Sequence, residues 1–186
     1  GPSYRLDAEV LRDMALWSSK LLDPTMGGEG VKPYQPPGMW KELMHPGSNT
    51  KNYVADKGSR LYRRSLYVYW KRTSPHPMMT LFDAPSREAS CVRRSRTNTP
   101  LQSLALFNEP QRVEAARKLA ERLLKDQKED GARLDLLFTL LASRKPSETE
   151  RAACSKLLQS QRTRYADKGG EAEPCARSGM PHAIQT

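Results

Sequence analysis

The chain has 186 residues, 37% apolar and 28% charged, and its 31 Lys and Arg outnumber 21 Asp and Glu to give a formal charge of +10. The 22 Leu, 6 Val, 3 Phe and 1 Ile make up about 17% of the chain, under the roughly 20% typical of chains that pack throughout at high charge, so part of it is expected outside a packed core. The excess of Leu over β-branched residues argues for helices and against a large β-sandwich or parallel sheet, and no apolar run approaches the roughly 20 residues that cross a bilayer.

Gly1, Pro2 and Ser3 read as the remnant of a cleaved expression tag, and a helix pattern follows at once. The expectation is a single helical domain over 4–165, cut from a larger protein, and a disordered tail over 166–186. Asp7 stands as the N-cap of a first helix whose apolar positions are Val10, Leu11, Met14, Trp17, Leu21 and Leu22, until Pro24 stops it. Residues 26–38 hold four Gly and three Pro and predict an irregular, polyproline-like segment. Met39, Trp40, Leu43 and Met44 predict a short helix, and 45–59 returns to turn chemistry.

From Arg60 to Arg72 the spacing of Tyr62, Leu66, Tyr69 and Trp70 predicts a helix, although Leu66 to Trp70 alone also fits a buried strand. Pro75 and Pro77 end that element, and a turn at 83–86 follows. Asn98 or Thr99 caps a helix with Pro100 at its first position, and Asn108-Glu109-Pro110 breaks it before a long amphipathic helix bearing Val113, Ala116, Leu119, Ala120, Leu123 and Leu124. Residues 134–142 are apolar on more than one side and predict the most buried helix. Ser147 and Glu150 have capping-box spacing and start the last helix, which carries Ala153, Cys154, Leu157, Leu158 and Tyr165.

Charge is concentrated: residues 60–97 hold nine basic and two acidic residues, which is +7 of the +10. Most of the nine are Arg, whose planar fork suits carboxylate, sulfate and phosphate. The same arginines also read as ties from loops to backbone carbonyls and to nearby carboxylates. Tyr62, Tyr67, Tyr69 and Trp70 interleave with them as a sugar or single-strand platform needs, and at helical spacing also read as core.

Cys91, Cys154 and Cys175 lie far apart in no metal-binding or haem-attachment arrangement, so no metal site and no cofactor are expected in this fragment. Cys154 reads as core, Cys91 beside Arg93 and Arg94 as a thiol that such charge activates if exposed, and a Cys91–Cys175 disulfide stays open. His45, His76 and His182 each adjoin a proline in a loop, and no carboxylate pair stands out.

Several ordered segments can be taken together: Met26-Gly27-Gly28, Val31 through Trp40 (VKPYQPPGMW), Leu61 through Tyr67 (LYRRSLY), Trp70 through Thr73 (WKRT), Phe82 through Pro85 (FDAP), and Arg93 through Gln102 (RRSRTNTPLQ). They resemble the planctomycete-specific C-terminal domain of unknown function, over about Arg5 to Tyr165. The resemblance implies an all-helical, loop-rich module, extracytoplasmic in the periplasm or at the cell surface. Its partners would be upstream domains of the same polypeptide, among them a c-type-cytochrome-like domain with its own haem.

The long segments 23–59 and 73–99 are the candidate site. Lys32, Tyr34 and Trp40 from the first are expected to meet Arg63, Arg64, Arg93, Arg94 and Arg96 and hold an anionic ligand, an acidic or sulfated polysaccharide. The alternative within the same residues is that arginines bond the first loop's carbonyls and hold it in place. The rival function is an enzyme on such a polymer, with Asp83, His76 or His45 as acid and base. A nucleic-acid partner rests on charge alone.

Overall fold

A computed structural model describes residues 5–42, 47 and 51–166. The described chain is all-α: α1 (Ala8–Ser18), α2 (Met39–Glu42), α3 (Pro77–Leu81), α4 (Pro100–Asn108), α5 (Pro110–Asp126), α6 (Asp130–Ala142) and α7 (Glu148–Ala166), with long irregular connections. It divides into two compact units, the first of residues 5–17 and 21–109, the second of 18–20 and 110–166. The expected tail lies outside the described residues from position 167 on.

In the first unit the Leu11 N–H closes on the Asp7 carbonyl at 3.0 Å, which places Asp7 at the head of α1. The helix ends at Ser18, six positions before the proline expected to stop it. Lys20 adopts a left-handed conformation (φ 61°), and the N–H groups of Leu21 and Leu22 both return to the Leu16 carbonyl, a C-terminal closure that uses an otherwise orphaned acceptor. The buried stripe is also rotated: Ala8 and Leu16 are buried and Leu11 packs against the core, while Val10 and Trp17 face solvent. Ala8, Val68, Met79 and Phe82 form the core, flanked by Leu11, Trp70, Met78, Leu81, Ala84 and Leu106.

The helix expected over 60–72 does not form. Two 3-10 turns, Gly58–Tyr62 and Ser65–Tyr67, lead into extended backbone. The Val31 N–H donates to the Tyr67 carbonyl at 2.7 Å and the Tyr69 N–H to the Val31 carbonyl at 2.8 Å, an isolated parallel bridge between Val31 and Val68. A second bridge joins Asp23 to Arg63. The glycine- and proline-rich loop cannot satisfy its own backbone, and the aromatic run supplies the missing partners at the cost of its helix. Val31 and Val68 are both buried as a result.

The Thr99 cap of α4 is a full capping box. The Gln102 N–H donates to Thr99 Oγ1, the Gln102 side chain accepts from the Thr99 N–H, and Pro100 follows the cap. In the second unit the Ser147 box forms as the spacing predicts, with the Ser147 N–H donating to Glu150 at 2.8 Å and the Glu150 N–H to Ser147 Oγ at 3.3 Å. On α5 the buried residues are Gln111, Glu114, Ala115 and Leu119; of the apolar positions expected to line it Leu119 is buried, while Ala116, Ala120 and Leu124 are exposed. No residue of α6 is buried, contrary to its expected place as the innermost helix. Its leucines have only α5 and α7 to pack on within this unit, so each stays partly open.

Candidate functional site

The first loop is held down by arginines. Buried Arg63 donates to the carbonyls of Thr25 (3.0 Å), Glu29 (3.1 Å) and Gly27, and its guanidinium lies 4.0 Å from the Tyr67 ring centroid. The Tyr67 hydroxyl in turn accepts from the Gly27 N–H at 2.7 Å. Gly27 and Gly28 have φ of 79° and 81°, a region that only glycine enters without strain, and this lets three nearby carbonyls turn toward one guanidinium. Arg64 is exposed, 3.7 Å from Asp13 and in contact with the Met26 sulfur.

Arg12 supports Arg63 from α1, donating to the carbonyls of Arg63 and Leu61 at 2.8 Å each. Loss of water pulls its pKa down to about 10 against the opposing pull of Asp13. Arg5 holds the next turn: it donates to the carbonyls of Phe82 and Thr97 and to the Asp83 carboxylate, which also receives the Thr97 N–H at 2.8 Å. Neither Arg5 nor Arg12 stood out in the sequence. The available signal was position, since Arg12 lies four residues from both Ala8 and Leu16 on the stripe that becomes buried.

Lys32 and Trp40 do come together, in a cluster completed by residues that were not foreseen as its partners. Trp40 is buried, edge-on to Tyr53 with centroids 4.9 Å apart, and Lys71 Nζ sits 3.9 Å from its ring centroid. Lys32 Nζ lies 5.5 Å from Tyr69 and 6.0 Å from Trp40. Burial lowers the Lys71 pKa and raises that of Tyr53, whose hydroxyl donates to the Pro33 carbonyl. Lys32 and Asp56 are locked by reciprocal bonds, the Lys32 N–H to the Asp56 carboxylate and the Asp56 N–H to the Lys32 carbonyl, both at 2.9 Å.

Tyr34 contributes its backbone: its carbonyl lies 2.8 Å from His76 Nε2. A carbonyl only accepts, so Nε2 carries the proton and buried Nδ1 keeps its lone pair, with no partner among the described residues. Loss of water drives the His76 pKa down to about 4. His45, the other proposed acid or base, lies outside the described residues, as do His182 and Cys175. Cys91 and Cys154 are free thiols, Cys91 exposed.

Arg93, Arg94 and Arg96 gather elsewhere, with Asp7 and Ser95, around a cavity of about 570 Å³. Arg94 pairs with Glu9 at 2.7 Å and lies 3.6 Å from Asp7, and Arg96 lies 3.5 Å from Asp7. The Glu9 hydrogen bond is the main reason the Arg94 pKa is raised. Exposed Arg93 makes no hydrogen bond or ion pair among the described residues, so among the three arginines at this cavity its fork is unspent. Among the described residues there is no group of acids, His and Cys able to hold a metal ion, and no helix long and apolar enough to cross a membrane.

An all-helical, loop-rich architecture laced by buried arginines is therefore the class to which the chain conforms. It belongs to a family of proteins of unknown function, PSD1 (DUF1553), whose family model matches residues 1–158. Neither a curated protein nor a solved structure matches it.

Proposed function

We propose that the chain is a binding and scaffolding module of a larger exported polypeptide, and that the cavity of Arg93, Arg94 and Arg96 receives the carboxylate or sulfate groups of an acidic polysaccharide. The observation that carries this reading is the unspent guanidinium of Arg93 beside two further arginines at an open cavity. Planar forks without a full set of acceptors match planar or tetrahedral oxyanions. Lys32, Tyr34, Trp40, Arg63 and Arg64 then serve to hold the first loop, as the carbonyl bonds of Arg63 illustrate. The extracytoplasmic setting and the upstream cytochrome-like partner, with its haem, belong to the same reading and rest on the resemblance of the ordered motifs.

Of the three residues that acid-base catalysis would call on, His45 lies outside the described residues and the other two have partners within the fold. Asp83 binds Arg5 and Thr97, and His76 binds the Tyr34 carbonyl. The test is binding to heparin, polygalacturonate and pullulan at two salt concentrations, with Arg93→Ala as the variant. Binding to one anionic polymer and not to pullulan, at least tenfold weaker in Arg93→Ala, is expected. Equal binding to heparin and single-stranded DNA with the same steep salt loss rejects it, since charge alone then accounts for the affinity.

A further inference from the structure

The second unit contains a cavity of a different chemistry. Helices α5, α6 and α7 form an open groove of about 460 Å³ lined by Leu123, Leu124, Leu134, Leu137, Leu157 and Leu158. Leu124 and Leu157 stay 60% and 61% exposed, so three helices leave apolar surface facing water that a fourth element would ordinarily cover. The volume falls within the roughly 300–1,000 Å³ of small-molecule sites, which pair apolar walls with a few placed polar groups.

Those groups stand at one edge. Asp130 receives Arg162 through two bonds of 2.6 and 3.0 Å and Arg133 through one of 2.6 Å. Two guanidiniums thus share one carboxylate, which leaves one positive charge and spare N–H donors at the rim. The Arg162 side chain is 56% exposed and can turn toward a newcomer. Arg162 and then Arg133 hold the Asp130 pKa at about 2, so the carboxylate stays ionised and the charge count stands across the ordinary pH range.

We propose that this cavity binds a single-chain amphiphilic anion, its hydrocarbon body against the leucines and its carboxylate or sulfonate head at Arg162 and Arg133. The unmatched rim charge selects the sign of the head, and the leucine walls select the body. The site is independent of the polyanion reading above, since it uses none of the same residues.

Dodecanoate below its micelle concentration is the probe, titrated calorimetrically into the full chain beside dodecyltrimethylammonium. One dodecanoate per chain is expected, at least tenfold tighter than the cation, and weakened at least tenfold by both Arg162→Gln and Leu157→Glu but not by Lys156→Gln outside the cavity. Cys154 lines the same walls and supplies a measurement that needs no cavity variant. In a Cys91→Ser background that also carries Cys175→Ser, dodecanoate is expected to slow its modification by a bulky maleimide. No saturable binding, equal affinity for the cation, indifference to both cavity variants, or binding only to anionic vesicles overturns the proposal. So does a dimer in sedimentation whose interface protects Cys154 without ligand.

Discussion

Arg12 reaches across 51 residues of chain to donate to the backbone carbonyl of Arg63 at 2.8 Å, while the Arg63 side chain donates to three carbonyls of the first loop. Two arginines in series thus fasten the loop to α1. Each charge is taken from water and compensated by carbonyl dipoles, and Arg12 also has the Asp13 carboxylate 3.8 Å away.

Arg12→Met removes the donors to Leu61 and Arg63 and is expected to lower unfolding free energy in urea by about 3 kcal/mol, the order of magnitude for two charge-assisted bonds. Arg12→Lys reaches one carbonyl at a time and is expected to recover part of that loss.

Arg63→Gln is expected to loosen the loop locally. Amide exchange at Gly27 and Val31, whose N–H groups bond Tyr67, rises at least tenfold, while α5 to α7 exchange as before. Unchanged exchange with lost polysaccharide binding would instead make Arg63 a ligand residue.

His76 makes stability depend on pH. Its folded pKa of about 4 lies below the 6.5 of the free side chain, so its contribution is complete above pH 6.5. As pH falls from 6.5 toward 4 the unfolded chain takes up a proton that the folded chain refuses, and roughly 3 kcal/mol is lost. Urea midpoints across that window, with His76→Gln as the pH-insensitive reference, measure it.

The Ser147 box is expected to contribute about 1 kcal/mol, read as the loss in Ser147→Ala by thermal unfolding. Glu150→Gln retains a side-chain acceptor for the Ser147 N–H and loses the Arg144 ion pair, so its effect is smaller and fades in salt.

Arg93→Ala and Arg94→Ala are expected to separate. The first leaves the urea midpoint unchanged. The second loses the Glu9 pair, which is partly exposed and is worth at most about 1 kcal/mol. A destabilised Arg93→Ala would place that side chain in the fold rather than at a ligand.

The sequence by itself determined the helical class, the caps at Thr99 and Ser147, and the place where positive charge accumulates. Each of these follows from local chemistry: propensity, a side chain three residues from its partner, or composition. It also identified the residues of the two arginine clusters, though not their division. Only tertiary structure decided that Arg63 serves the first loop while Arg93, Arg94 and Arg96 line a cavity with Asp7, because their partners lie tens of residues away. The same holds for 60–72, where helical spacing and strand-like composition were both present in Tyr62 to Trp70. The choice fell to Val31, whose backbone needed partners that a helix would have kept for itself. Which face of α1 goes inward was settled likewise, by the carbonyls of Leu61 and Arg63 that draw Arg12 into the interior.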